Sequence, residues 1–96
     1  MLRSEVADFV RLGPLPDSEA SEERIALHQV LLQAIRKPVT NEEAEALIHS
    51  FGPDDCYGLG WTLLHIIESA PKVPAISPQA LANSEWLQMV WKGPRQ

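Results

Sequence analysis

Apolar residues recur along this chain at helical spacing, and no segment alternates apolar and polar residues as a strand does. Glycine and proline break the pattern into five or six segments. The first runs from Ser4, a residue type favoured at helix N-caps, to Leu12, and Gly13-Pro14 ends it. The pattern predicts an all-α fold: a compact bundle or stack of five to six short helices in one domain, residues 1–96.

The second segment predicts the longest helix. Asp17 or Ser18 is its expected N-cap. The helix is expected to end after Arg36, because Lys37 precedes Pro38 and a residue before proline resists the helical conformation. Its apolar side chains share one broad face of the helical wheel: Ile25, Leu27, Val30, Leu31, Leu32, Ala34 and Ile35.

The third segment opens with a capping-box pattern, Thr40-Asn-Glu-Glu43. In a capping box, the hydroxyl and the later glutamate each accept a hydrogen bond from an otherwise unpaired amide. The helix is expected to end at Gly52. It should bury Ala44, Leu47, Ile48 and Phe51.

The fourth segment, about 55–70, is the most apolar, and it is expected to start at an Asp54 or Asp55 cap and to end before Pro71. Apolar residues occupy well over half of its circumference, and they include Cys56, Tyr57, Trp61, Leu63 and Ile67. Such a helix needs neighbours on two sides, so it is predicted to lie at the centre of the fold. Gly60 falls in the apolar arc, where it predicts the close approach of another backbone. Only a narrow polar strip remains: Asp55, Gly58, Thr62, His65 and Ser69.

The last part of the chain predicts two short helices. Ser77-Pro78 matches an N-cap followed by proline at the first helical position, opening a turn to Ala82. Asn83 or Ser84 begins the final helix, which Gly93-Pro94 ends. One face of that helix carries Trp86, Leu87, Val90 and Trp91.

Residues 18–51 and 54–92 thus form two helix–turn–helix pairs of a length close to that of helical repeats. In this respect the chain resembles a truncated HEAT-like array, of the kind found in small uncharacterised bacterial helical proteins. The resemblance rests on the length of the two pairs and on the segment from Phe51 to Ala70, without a repeat consensus. It implies a scaffold with a protein-binding face and without chemistry.

Charge narrows the choice of partner. The net charge is −5, which disfavours nucleic acid and anionic membranes, since both attract basic surfaces. Acidic residues concentrate at the expected helix starts, where the helix dipole favours them, and an acidic surface also attracts basic proteins. The chain has no apolar stretch long enough for a membrane span, and Cys56 is its single cysteine. We therefore expect a cytoplasmic protein without disulfides.

Catalytic chemistry has one candidate centre, the strip with His65. His65 lies one helical turn from Thr62 and from Ser69, the spacing of a general base and a hydroxyl nucleophile. The chain lacks a Gly-x-Ser-x-Gly turn, and helical Ser and Thr commonly bond their own backbone. Zinc sites need paired Cys or His ligands, which a single cysteine does not supply. No catalytic residue, metal or cofactor is therefore expected.

Two functional hypotheses follow. The first is a non-enzymatic interaction module, which binds a protein or a second copy of itself through Asp55, Thr62 and His65 or through Trp86 and Trp91. A specific form is an immunity- or antitoxin-like protein whose acidic surface meets a basic toxin. The alternative is a small metal-dependent or His-based hydrolytic enzyme.

Overall fold

A computed structural model describes residues 2–92 and contains only helices, with no strand in that range. This confirms the predicted all-α class. The longest helix has 12 residues, and none in this range combines the length and the apolarity that crossing a membrane requires. Six α-helices and one 3₁₀ turn follow one another: α1 Ser4–Leu12, α2 Glu22–Gln33, α3 Asn41–Leu47, the 3₁₀ turn Ile48–Ser50, α4 Leu59–Glu68, α5 Pro78–Asn83 and α6 Glu85–Lys92.

Helix α4 lies at the centre of the fold, as its composition predicts. It packs against α2, α3 and α6. Leu63 is fully buried and Ile67 is 1% exposed. The predicted bounds of about 55–70 are wrong, because α4 spans only Leu59–Glu68. The buried apolar residues come from all parts of the chain: Val6, Phe9, Leu15, Leu32, Ile35, Val39, Ala44, Leu47, Ile48, Cys56, Leu59, Leu63, Leu64, Ile66, Ile67, Leu87 and Val90.

The starts of α1 and α3 are joined by a buried carboxylate. The capping box of α3 forms as predicted: Glu43 N–H donates to Thr40 Oγ1 (3.0 Å), and Thr40 N–H donates to Glu43 Oε1 (2.9 Å). Glu43 also pairs with Arg3. The N-cap of α1 is Arg3, without a side-chain capping bond, so the prediction of a Ser4 cap is wrong. Phe51 lies beyond α3 and is only half-buried.

Helix α2 differs most from its prediction. Ser21 caps it by accepting a hydrogen bond from Arg24 N–H (3.2 Å), so it begins well after Asp17 and Ser18, and it ends at Gln33 rather than Arg36. Its inward side carries the buried His28 and Leu32. The predicted apolar face is also wrong in part, because α2 has a solvent side on which Leu27 is 49% and Val30 63% exposed.

The two final helices form as the sequence predicts. Ser77 Oγ accepts from Ala80 N–H (3.2 Å), and Ser84 Oγ accepts from Leu87 N–H (3.2 Å), so both serines act as caps. Leu87 and Val90 are buried against the core. The expected helix end at Gly93-Pro94 lies outside the described residues.

Candidate protein-binding face on helix α4

A tight turn, residues 54–58, leads into α4 and replaces the predicted cap. The Asp54 carboxylate accepts hydrogen bonds from Ser18 N–H (3.1 Å), Ser18 Oγ (3.0 Å) and Cys56 N–H (2.8 Å). The backbone N–H donors of Ser18 and Cys56 lower the pKa of Asp54. Asp54 therefore ties the turn to the segment before α2 instead of capping α4.

The backbone of this turn has left-handed conformations at three successive residues. The φ angles are 48° at Cys56, 57° at Tyr57 and 93° at Gly58. Such φ angles are costly for residues other than glycine. Asp55 carbonyl accepts from the N–H groups of Gly58 and Gly60, both at 3.0 Å, so the start of α4 is satisfied by backbone. The helix therefore starts at Leu59, four residues later than the sequence predicts.

Within this turn, Tyr57 projects into solvent and Cys56 into the core. Tyr57 is 74% exposed, and its hydroxyl donates to the Ser18 carbonyl (2.9 Å). Cys56 is fully buried. Burial first, and then the nearby carboxylates of Asp54, Asp55 and Asp17, raise the pKa of the Cys56 thiol, which makes it a poor nucleophile.

The exposed side of α4 consists of Trp61, Thr62 and His65. Thr62 and His65 share this side, as predicted, and they line a shallow hollow against Gln33 and Lys37 of the α2 end. Ser69 does not belong to it: its hydroxyl accepts from Val39 N–H (3.1 Å) and donates to the Ile66 carbonyl. Asp55 and Tyr57 are exposed in the turn just before the helix, where Tyr57 borders a hollow with Ala26 of α2. We call these exposed residues of the turn and the helix, Asp55, Tyr57, Trp61, Thr62 and His65, the α4 face.

An aromatic row supports one edge of the α4 face. Phe51 and Trp86 stack with ring centroids 5.3 Å apart at an interplanar angle of 4°. Trp86 meets Trp61 edge-on at 4.9 Å. The Trp86 ring also covers Gly60, where an added Cβ would lie 2.7 Å from Cζ2. The close approach that Gly60 permits is therefore that of an indole, not of a backbone as predicted.

Trp91 lies elsewhere. It is 52% exposed, and it separates two shallow hollows, one lined by Val73 and Ile76 and the other by Pro78 and Leu81. No residue of α4 lines either hollow. The five predicted binding residues thus fall into three places: Asp55, Thr62 and His65 on the α4 face, Trp86 behind it, and Trp91 on another surface.

Sequence reasoning missed Tyr57 and Trp61, because it placed both in the buried arc of a helix that started too early. The available signal was Gly58. A glycine two residues before a further glycine favours a turn over the interior of a helix. Starting the helix after Gly58 leaves Tyr57 in a turn.

The described residues offer little of the geometry that hydrolytic chemistry requires. Thr62 Oγ1 donates to the Gly58 carbonyl (3.3 Å), and the Ser69 hydroxyl is held by backbone groups, so neither hydroxyl is directed at His65. Within residues 2–92 no three His, Cys, Asp or Glu side chains converge on a metal-sized site. His28 is buried, and its Nδ1 lies 3.0 Å from the Arg24 carbonyl, while Nε2 has no partner in that range.

Comparison with protein families, with characterised proteins and with solved structures finds no match to this chain. The resemblance to HEAT-like arrays therefore stays a prediction.

Proposed function

We propose that this protein is a non-enzymatic module that binds another protein through the α4 face. The observation that carries the proposal is the exposure of two aromatic side chains on a 96-residue chain that needs large apolar side chains for its core. Tyr57 is 74% exposed and Trp61 is 46% exposed. Tyrosine and tryptophan are among the residues enriched at binding hot spots.

The charges around this face favour a basic partner. Asp17, Asp54 and Asp55 all lie near enough to the Cys56 thiol to raise its pKa, so their carboxylates cluster around the turn that holds Tyr57. A cationic side chain over an aromatic ring gains a cation–π attraction, and carboxylates beside the ring add to it. An immunity- or antitoxin-like protein that binds a basic toxin is one form of this proposal.

The rigidity of the face also supports binding. Trp61 rests against Trp86, and Tyr57 is fixed by its hydrogen bond to Ser18, so neither ring needs ordering when a partner arrives. Side chains held in place before binding lose less conformational entropy in the complex.

The test compares partner capture by matched tryptophan variants. Tagged wild-type protein and the variants Trp61→Ala and Trp91→Ala are incubated with lysate of the source cell, and retained proteins are identified by mass spectrometry. We expect a basic protein that Trp91→Ala retains and Trp61→Ala loses. Titration of that purified protein should then give at least tenfold weaker binding to Trp61→Ala. Equal binding by both variants would refute the proposal.

A further inference from the structure

Helix α2 presents a second apolar side to solvent. The helix residues Glu23, Ala26, Leu27, Val30 and Gln33 and the C-cap Ala34 are all exposed, and we call them the α2 outer face. They recur at intervals of three and four, so they form one continuous stripe opposite His28 and Leu32. Four of the six are apolar, with Val30 at the middle and 63% exposed.

This stripe differs from a scattering of single apolar residues, which is normal on any protein surface. A helix that carries apolar side chains on opposite sides is typical of one buried on both. In residues 2–92, α2 packs against α1 and α4, while the outer face is exposed and only its edges, at Ala26 and Gln33, border hollows next to Tyr57 and Thr62. The stripe is therefore a helix face without a partner.

We propose that two copies of this chain associate through their α2 outer faces, with the two helices antiparallel and the two-fold axis at Val30. The distribution of charge along α2 favours a second copy of the chain as the partner of this face. The first turn carries Glu22 and Glu23, while Arg36 and Lys37 follow the helix end. In an antiparallel pair the acidic start of each helix lies beside the basic end of the other. The two helix dipoles also point in opposite directions, which is favourable.

The spacing of the stripe fits the same arrangement. About Val30, Ala26 and Ala34 lie four residues to either side, and Leu27 and Gln33 lie three residues to either side. A two-fold axis at Val30 therefore places Ala26 opposite Ala34 of the second copy. Two facing alanines let the helices approach closely, and each Leu27 then packs beside the central valines.

The α4 face is unsuited to the same role. Two copies meeting there would bring the clusters of Asp17, Asp54 and Asp55 together, and like charges at an interface are unfavourable. The α2 outer face carries a single acid, Glu23, which the antiparallel arrangement places near a basic helix end. The two faces share edges, since Gln33 borders the hollow of Thr62 and His65 and Ala26 borders a hollow with Tyr57. Their tests remain distinguishable, because Trp61→Ala changes only the α4 face and Val30→Glu only the centre of the α2 outer face.

The size of the face sets the strength of the association. A 12-residue helix is about 18 Å long, so the contact is well below the roughly 800 Å² per partner of a standard interface. The dimer is accordingly transient. Measurements need to extend from about 5 µM to about 1 mM protein, since a weak complex is populated only at concentrations near its dissociation constant or above it.

Sedimentation equilibrium over this range tests the association. We expect the wild-type mass to rise toward that of a dimer, and Val30→Glu to weaken association at least tenfold, because two glutamates meet at the axis. Gln29→Glu is the matched control: it adds the same charge to the same helix, off the outer face, and should leave association unchanged. A monomer throughout would overturn the proposal, as would loss of association in Trp91→Ala and not in Val30→Glu.

Cysteine crosslinking tests the orientation, and the buried Cys56 does not interfere. Under mild oxidation Val30→Cys should form a covalent dimer much faster than Gln29→Cys. A mixture of Ala26→Cys and Ala34→Cys proteins should crosslink to each other faster than either does to itself. Faster self-crosslinking of Ala26→Cys would indicate parallel helices and would overturn the antiparallel arrangement.

Discussion

At the scale of single residues, the buried carboxylate of Glu43 combines two tasks. Oε2 accepts from Arg3 N–H (2.9 Å) and Arg3 Nε (3.0 Å), and Oε1 accepts from Thr40 N–H (2.9 Å). One side chain thus caps α3 and holds the start of α1. Burial by itself raises the pKa of Glu43, but the hydrogen bonds from Arg3 and Thr40 outweigh burial and lower that pKa to about 2.

This pKa predicts acid sensitivity. Since the folded pKa of about 2 lies below the ordinary 4.5, the unfolded chain takes up the proton first as pH falls. The stability contributed by Glu43 is complete above about pH 5 and is lost progressively toward pH 2. Thermal melts followed by circular dichroism between pH 7 and pH 2.5 should show this loss.

The variant Glu43→Gln isolates the carboxylate. We expect it to lower the unfolding free energy at pH 7 by about 2 kcal/mol, less than the roughly 3–5 kcal/mol for breaking a fully buried ion pair because Arg3 is partly exposed. It should also flatten the acid limb of the stability curve. Glu45→Gln, at an exposed position of the same helix, should follow the wild-type curve. A Glu43→Gln variant with wild-type acid sensitivity would show that other groups cause it.

Gly60 gives a second prediction at this scale. Alanine improves helix propensity by up to about 1 kcal/mol, but here its Cβ would lie 2.7 Å from the Trp86 ring, which Phe51 and Trp61 hold in place. We expect Gly60→Ala to lower stability by about 1–2 kcal/mol in urea denaturation.

A double-mutant cycle separates the clash at Gly60 from any effect on the helix. In a Trp86→Leu background the ring is gone, so Gly60→Ala should become neutral or stabilising. An equal cost in both backgrounds would assign the effect to the backbone of α4.

At the scale of elements, sequence pattern predicts the number and order of the helices better than their starts. The start of α3 is predicted correctly because its capping box is local, lying within four residues. The start of α4 is not, because Asp54 bonds to Ser18, which is 36 residues away. The Asp54 carboxylate accepts from Ser18 and from Cys56 N–H inside the turn, not from the first turn of α4, and no pattern within the segment shows the bond to Ser18. Likewise, both Ser18 and Ser21 are suitable caps for α2, and only the fold shows that Asp54 engages Ser18.

The turn before α4 carries the prediction at this scale. Asp54→Ala removes the acceptor of three hydrogen bonds, two from Ser18 and one from Cys56, and leaves these donors without that partner. We expect a lower urea midpoint, with a modest decrease because the site is open to water. The neighbouring exposed residue provides the control: Asp55→Ala should keep the wild-type urea midpoint. Equal losses would point to net charge rather than to these bonds.

At the scale of the whole molecule, the sequence separates interior from surface better on α4, where Trp61 is the exception, than on α2. The residues of the predicted polar strip differ in exposure. Thr62 and His65 are exposed, whereas the Ser69 hydroxyl accepts a hydrogen bond from Val39 N–H. Gly58 indicates that Tyr57 lies in a turn, whereas exposure of Trp61 depends on where neighbouring elements lie, which composition does not encode. The same holds for Leu27 and Val30, because helical periodicity shows that they are apolar but not which side of α2 the domain covers.

The position of α4 leads to the last prediction. Leu63 is fully buried on the helix that contacts α2, α3 and α6, so Leu63→Ala leaves a cavity that no single neighbour can fill. We expect it to lower the unfolding free energy by about 3 kcal/mol, a large share of the roughly 5–15 kcal/mol of an ordinary domain. Val30→Ala, which also shortens an apolar side chain but at a solvent-facing position, should change the unfolding free energy by less than about 0.5 kcal/mol.

Because α4 touches most of the fold, tryptophan fluorescence and far-ultraviolet circular dichroism should give the same urea midpoint in the Leu63→Ala variant, as expected for one cooperative unit. Separate midpoints would mean that α5 and α6 unfold independently, and that α4 does not unite the domain.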